Sequence, residues 1–365
     1  MKRIKLCYLA HGKSPHTIKW IRYFSENNYE VHLISFAKPD LQIKNIAFHQ
    51  LGSKNQNPGN PFNYLYVAAH VKKIISKINP DIVHAHRIAG YGLLGAISKF
   101  DNIPFILSIW GDDVFVSPKK SILHYWFTKF ILSKADYLFS TSEIMKKESE
   151  KYTTKTIYVT PFGVDTNKFS PIQKKGTGKG IIIGSIKKFY KKYGFEFLIK
   201  AIAILVYDWK IHNINLKLAG KGPEEKNLKK LVTELKLDQY VEFLGYLNEK
   251  EVPIVFKTFD IAVFPSIHAG ESFGVAAVEA QACGVPVIVS NIGGLPESTK
   301  VNYSSILSEP SNEYSIADAL AKLIDDKDLR EKMGSNARKF VTDKYNISEN
   351  FTHIENIYKS ILKNE

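Results

Sequence analysis

Residues 265–297 read PSIHAGESFGVAAVEAQACGVPVIVSNIGGLPE. The apolar run IAVF stands directly before this stretch, and a second run, VIVS, lies inside it at 287–290. Between the two runs, residues 272–283 carry small and apolar side chains at helical spacing. Strand, helix, strand over so short a span is a parallel β-α-β unit, because parallel neighbours need a crossover connection. The same alternation extends in both directions. Runs at 4–9, 31–36, 81–86, 105–109 and 137–140 read as strands, and helical patterns fall at 16–27, 63–77, 90–100, 121–134 and 142–152. A polar stretch, SPIQKKGTGKG at 170–180, interrupts the pattern. Strands at 180–183, 215–218 and 240–243 and helices at 195–207 and 224–236 then lead into the quoted segment. The order predicts an α/β chain of two doubly wound parallel-sheet domains, 1–169 and 181–345, joined by a linker at 170–180. A last helical pattern carries Phe351, Ile354, Ile357, Tyr358 and Ile361 on one face.

Length agrees: 365 residues make about two domains. Charged residues at 24% and apolar residues at 44% exclude a disordered chain, a collagen and a disulfide scaffold. Two cysteines, Cys7 and Cys283, point to a reducing compartment and exclude a cysteine zinc site. No run has the roughly 18 uncharged apolar residues of a spanning helix. Residues 1–10 resemble a leader, but Lys5 breaks the apolar stretch, so they are read as the first strand of a cytoplasmic protein. The net charge, 50 − 36 = +14, favours acidic partners: nucleic acid, an anionic membrane or phosphate-bearing substrates.

Within the quoted stretch, Glu271 and Glu279 are eight residues apart, about 12 Å along a helix. That distance is comparable to a nucleotide sugar measured from hexose to ribose. Ser272, Phe273, Gly274 and Val275 are expected to form the first helical turn, whose N–H groups make an anion site. Carboxylates suit sugar hydroxyls, which are hydrogen-bond donors.

The composite Gly-Glu-Ser-Phe-Gly, Glu279, Gly-Val-Pro-Val-Ile-Val and Gly293-Gly294-Leu295-Pro296-Glu297 resembles the E-x7-E region of the retaining glycosyltransferases of family 4. The resemblance implies the GT-B fold: two domains facing across a cleft, with the terminal helix 346–365 crossing back to the first. Residues 184–194, GSIKKFYKKYG, look like the family's phosphate-binding loop, with Lys187 where the family usually has Arg and Lys192 five residues later. Lys191 competes for the second role. Lysine lacks the planar fork of arginine but still offers phosphate a point charge. Ala219-Gly220-Lys221-Gly222-Pro223 resembles the family's glycine turn, Phe243-Leu244-Gly245-Tyr246 its loop near the base, and 160–169 its entry to the linker.

The first half matches more loosely. Ala10-His11-Gly12-Lys13 resembles the loop in which a glycine, here Gly12, passes close to the donor; His16 follows it. Residues 81–86, DIVHAH, resemble a family strand end, and period two puts His84 and His86 on one side. A metal pair is conceivable there, but no Cys or carboxylate cluster is near, which favours a structural or acceptor-lining role. Trp110 stands where many members have a sugar-contacting His. The chain resembles a subgroup with Trp-Gly-x-Asp, and Asp112 or Asp113 then faces donor or acceptor hydroxyls, or simply caps a helix.

The resemblance implies a retaining, metal-independent hexosyltransferase without a cofactor, drawing on a UDP- or GDP-sugar. Lys187 and Lys192 bind the diphosphate, Glu279 the ribose and Glu271 the sugar. The implied acceptor is a glycan or lipid-linked saccharide, in surface polysaccharide (lipopolysaccharide) or glycolipid assembly. Residues 118–134, PKKSILHYWFTKFILSK, mix lysines with Trp126, Phe127 and Phe130, so contact with an anionic membrane from the cytoplasmic side is a further expectation. The alternatives are a sugar-nucleotide epimerase on the same fold and a non-catalytic nucleic-acid binder. No RRM, KH or helix-turn-helix signature supports specific nucleic-acid binding. Gly176 to Gly180 lacks P-loop spacing and precedes a strand.

Overall fold

The computed structural model describes residues 3–40, 43–52, 61–172 and 180–363, with backbone alone at 61–63. The chain divides into two compact units. Unit 1 comprises Met1–Phe162 and Asn350–Glu365, and unit 2 comprises Gly163–Glu349.

Unit 1 holds seven strands: β1 Lys5–Leu9, β2 Glu30–Ser35, β3 Ile46–Gln50, β4 Ile82–His86, β5 Phe105–Ile109, β6 Tyr137–Ser140 and β7 Ile157–Val159. All pair in parallel, in the order β3-β2-β1-β4-β5-β6-β7. Every residue of β4 and β5 is buried, as expected when helices cover both faces of a parallel sheet. The helix Pro15–Glu26 starts on Pro15, whose fixed φ suits a first helical position, and buries Thr17, Trp20, Ile21 and Phe24 at 3.6-residue spacing. The terminal helix Ile347–Ile361 buries the stripe expected from sequence. Its Phe351 ring lies 5.7 Å from Trp20, and its Tyr358 hydroxyl bonds Tyr8 at 3.3 Å.

Unit 2 holds β8 Ile181–Ile186, β9 Ile214–Ala219, β10 Val241–Gly245, β11 Ile261–Phe264, β12 Val287–Ser290 and β13 Ser305–Ser308. These form a second parallel sheet, ordered β10-β9-β8-β11-β12-β13. The short strands β3, β7 and β13 lack a distinctive apolar run and go unseen in the sequence. β3 and β7 are edge strands of the first sheet and β13 of the second.

The first boundary falls after Phe162, rather than at 169. Residues 163–169 are tied into unit 2: the Val164 N–H donates to the Tyr345 carbonyl at 2.8 Å. The Arg338 guanidinium donates to the carbonyls of Thr166, Phe169 and Ala282 at 3.0, 2.7 and 2.9 Å. Most of the stretch read as a linker, 173–179, lies outside the described residues.

Candidate active site

In unit 2 the strand order reverses between β8 and β11. Ligands of open parallel sheets bind beyond the strand ends at such a switch point. Lys187 is the first residue after β8, and Glu271 lies in the loop that leaves β11. Their side chains meet there: Lys187 Nζ is 3.0 Å from Glu271 Oε1 and 2.8 Å from Oε2. Both are largely shielded, at 21% and 11% exposure. The Lys187 ammonium also sits 4.8 Å from the centre of the Tyr193 ring, and Lys192 Nζ lies 5.4 Å from the same ring. Burial alone pushes the Lys187 pKa down. The charges of Glu271, Tyr193 and Glu279 outweigh it and hold the pKa above its ordinary value, so the ammonium stays charged.

Lys191 goes elsewhere. It is exposed and lines a recess of ≈ 270 Å³ with Tyr190, Glu196 and Glu224, beside the helix Glu225–Glu234. Lys187 and Lys192 thus share one ring while Lys191 does not. Gly220, expected at the donor, has a packing reason for its size. At its φ of +148°, a Cβ would lie 1.9 Å from the Lys187 carbonyl oxygen. The loop after β9 presses on the Lys187 backbone, and the Lys187 N–H donates to Ala219 at 3.0 Å.

The helix expected from 272 begins at Val275 and runs to Ala282. Gly274 precedes it in the left-handed region (φ +73°), which an α-helix cannot contain, so Ser272 and Phe273 belong to the loop. Phe273 is buried edge-on to Tyr345, with ring centres 5.2 Å apart, and this draws the loop inward. Helical rise therefore does not measure the distance from Glu271 to Glu279. Glu279 is half-buried in the second turn, and its charge is felt at Lys187. The anion-binding helix start moves to Val275.

Sequence reasoning assigned no role to Tyr193 or to the Gly293-Gly294 pair. A Cβ on Gly293 would lie 2.4 Å from the Glu271 carbonyl oxygen, and one on Gly294 2.1 Å from that of Ser272. The Gly294 N–H donates to the Glu271 carbonyl at 2.7 Å. Two glycines thus let the loop after β12 clamp the Glu271 backbone. Two adjacent glycines after a buried strand were the available signal.

In unit 1 the order reverses between β1 and β4. Gly12, after β1, donates its N–H to Ser35 Oγ at 3.0 Å, and a Cβ there would lie 2.1 Å from the Ala37 carbonyl oxygen. Its size is set by the loop after β2. Past the strand ends an aromatic group assembles. His16 stacks on Phe162 with centres 3.9 Å apart, and Trp110 lies 4.4 Å from His86, 5.3 Å from Phe162 and 5.8 Å from His16. His86 Nδ1 bonds Thr17 Oγ1 at 3.3 Å. His86 Nε2 and Trp110 Nε1 are buried and find no hydrogen-bond partner among the described residues. Each is a buried polar atom that the described residues leave unpaired, which is unusual in a folded chain. Asp112 opens the short helix Asp112–Phe115. Asp113 is buried, accepts the Trp110 N–H at 3.2 Å and faces Arg87 Nε at 3.7 Å. Burial raises its pKa against the pull of Arg87. Arg87 itself, unmarked in the sequence, follows β4 at φ +75°, a conformation rare outside glycine.

His84 is structural. Its Nδ1 bonds the Tyr358 hydroxyl at 2.5 Å and its Nε2 bonds Ser108 Oγ at 2.8 Å. Among the described residues no three His, Cys, Asp or Glu side chains gather as metal ligands. Burial lowers the His84 pKa to about 3 and that of His86 well below the ordinary value. A histidine depressed in the fold costs stability once the unfolded form binds a proton. Stability should hold above about pH 6.5 and fall by about 1.4 kcal/mol per pH unit for His84 as the pH drops toward 3, and His86 acts in the same direction. Thermal melts of the full chain, followed by tryptophan fluorescence, to which Trp20 beside His84 contributes, test this. A melting temperature unchanged from pH 7 to pH 4 is the contrary result.

The pattern of the glycosyl transferases group 1 matches residues 167–340, and that of the glycosyl transferase 4-like family matches residues 5–142. An uncharacterized glycosyltransferase of Methanocaldococcus jannaschii is 28% identical over 314 residues, 85% of this chain and 84% of the relative. The UDP-Gal:alpha-D-GlcNAc-diphosphoundecaprenol alpha-1,3-galactosyltransferase of Escherichia coli is 26% identical over 80% of this chain and 79% of its own length. Among solved structures, a glycosyltransferase of Rickettsia africae superposes with a TM-score of 0.84 at 23% identity, covering all of both chains.

Proposed function

We propose that this chain, which belongs to the glycosyl transferases group 1 and is a glycosyltransferase of GT-B fold, moves a sugar from a nucleoside-diphosphate donor to a lipid-linked or saccharide acceptor with retention of configuration and without a metal ion. Both family patterns describe glycosyl transferases, which sets the epimerase alternative aside.

The observation that carries the reading is the Lys187–Glu271 pair at the switch point of the second sheet. It places a shielded ammonium and a shielded carboxylate side by side. A nucleotide sugar has matching parts, a diphosphate and a hydroxyl-bearing ring. On binding, the diphosphate takes over the Lys187 ammonium, and Lys192 across the Tyr193 ring adds a second charge. Glu271 then accepts hydrogen bonds from the sugar, and Glu279 from the ribose. In the transfer step the bond from C1 to the diphosphate oxygen breaks. The acceptor oxygen bonds C1 on the same face, and the acceptor proton passes to the departing phosphate oxygen. Hydrogen bonds to charged groups contribute about 1.5–3 kcal/mol each. Two lysines and the helix start at Val275 therefore supply several kcal/mol of charge stabilisation without a divalent cation. The remainder of the usual 8–23 kcal/mol or so falls to positioning and exclusion of water.

In unit 1, His16, His86, Trp110 and Asp112 form the side that takes the transferred sugar or the acceptor, and the open polar atoms of His86 and Trp110 support that role. The lipid-linked acceptor and the UDP donor named for the Escherichia coli relative support the same classes here.

Thermal shifts with UDP, GDP, ADP and CMP, each with and without EDTA, test the donor side. One nucleoside diphosphate at 100 times its dissociation constant should stabilise by about 2.7 kcal/mol, equally with EDTA present. Loss of the shift in EDTA would refute metal independence, and no response to any nucleotide would refute the donor assignment. NMR of the anomeric proton in the product decides retention.

A further inference from the structure

The helix Ile122–Lys134 is apolar on two sides and packed on one. Thr128, Ile131 and Leu132 are buried against unit 1. On the other side Ile122, Leu123, Trp126, Phe127 and Phe130 recur at positions 1, 2, 5, 6 and 9 of the helix, one continuous stripe. Their exposure runs from 41% at Phe130 to 72% at Ile122. A helix that is apolar all round belongs in a core or against a second apolar phase. Single exposed apolar residues need no explanation, but a stripe of five large ones does. The helix Leu93–Ile97 packs against both this helix and Pro61–Ile78, which adds exposed Leu65 and Tyr66 on the same side of the sheet.

Charge selects the partner. From Val114 to Ala135 the sequence has no Asp or Glu and carries Lys119, Lys120, Lys129 and Lys134. Lys129 Nζ lies 5.5 Å from the Tyr125 ring centre and 5.4 Å from that of Trp126, and Lys134 Nζ lies 5.7 Å from that of Phe130. Ammonium groups thus border the stripe, while Lys119 is paired with Glu148 at 2.8 Å. A second copy docking the same face by two-fold symmetry would set these lysines against each other with no acid in the helix to answer them. An anionic lipid surface offers an apolar layer beneath and negative headgroups around it.

We propose that this stripe docks unit 1 onto an anionic bilayer, with the helix lying in the interface, Trp126 and Phe127 inserted and the lysines at the headgroups. The helix begins shortly after Trp110–Asp113 and packs against residues 88–92, directly after Arg87. A bilayer-held acceptor is thereby brought to the end of the sheet where the aromatic group stands. The proposal supplies a partner for the transferase reading and can fail separately from it, because vesicle binding needs no sugar nucleotide.

The test uses the full chain and co-sedimentation with phosphatidylcholine vesicles, either pure or with about a third phosphatidylglycerol. Wild type should bind the anionic vesicles, with a blue shift of Trp126 fluorescence that is absent in Trp126→Phe. A Trp126→Ser/Phe127→Ser chain should bind at least about tenfold more weakly. A Lys129→Gln/Lys134→Gln chain should lose about fivefold per lysine, and high salt should do the same to wild type. Both variants should keep the thermal shift with the nucleoside diphosphate, which shows that they are folded. Equal binding by wild type and the serine variant would overturn the proposal, as would no binding to anionic vesicles. So would a lipid-free dimer that the serine variant dissolves.

Discussion

Replacing Glu271 with Gln should tighten binding of the nucleoside diphosphate by roughly fivefold while cutting sugar transfer by about 10²–10³-fold. The two signs differ because Glu271 does two jobs. Its carboxylate holds the Lys187 ammonium through both oxygens, at 3.0 and 2.8 Å. A diphosphate must compete with that carboxylate for Lys187, and it also meets a like charge. Neutral glutamine removes the competitor and the repulsion, worth about 1 kcal/mol in a partly shielded site. The transfer step, however, loses an acceptor for sugar hydroxyls near the reacting carbon. Lys187→Ala should weaken both binding and transfer, since it removes the shielded charge that meets the departing phosphate. The double variant should lose less than the product of the single losses, because the two groups act as a pair. Calorimetric binding of the nucleoside diphosphate found by the shift series, together with initial transfer rates, measures all four chains. Unchanged transfer in folded Glu271→Gln, or weaker nucleotide binding in it, refutes the assignment.

What the sequence discloses follows from how each contact is encoded. The two sheets were legible because buried parallel strands are continuous apolar runs: β5, β6, β11 and β12 appear at the residues read from sequence. Strands β3, β7 and β13 were not; all three lie at sheet edges, paired on one side only, and of the four edge strands only β10 was read, at 240–243. Glu271 and Lys187 stood out by motif, but their direct pairing spans 84 residues and no local pattern reports it. The early start given to the helix at 275 came from treating Gly274 as an ordinary helical residue. Gly274 is left-handed, and a Cβ there would lie 2.7 Å from Leu295 and 3.1 Å from Ser298, residues far along the chain. Gly12 was read as passing close to a donor and Gly220 as part of a glycine turn; the fold adds a packing reason for both, a backbone carbonyl about 2 Å from where a Cβ would be. Arg87 carried no signal, because an unusual φ at a non-glycine residue is decided by the loop after β4.

Gly294→Ala removes no group that touches the donor, yet transfer should fall by about 10²-fold. The added methyl would stand 2.1 Å from the Ser272 carbonyl oxygen and 2.5 Å from its carbon, where only backbone is present to give way. Restoring an ordinary separation moves the Ser272 backbone, or the loop after β12, by about 1 Å, a displacement that costs on the order of 10² in rate when it falls on a reacting group. The displacement cannot be absorbed locally. Ser272 is bounded by buried Phe273 on one side and, on the other, by Glu271, whose carbonyl is tied to the Gly294 N–H at 2.7 Å. The shift therefore reaches the Glu271 carboxylate and its hold on Lys187. The expected signature is a fall in kcat with nucleotide binding intact or slightly tighter, since Lys187, Lys192 and the helix start at Val275 stay in place while Glu271 loosens its hold on Lys187. The melting temperature drops by only a few degrees, as for about 1 kcal/mol lost. Rates taken well below the melting temperature separate this from partial unfolding. Full activity in folded Gly294→Ala, or a loss that merely tracks the unfolded fraction, would show that the glycine pair supports the fold and not the placement of Glu271.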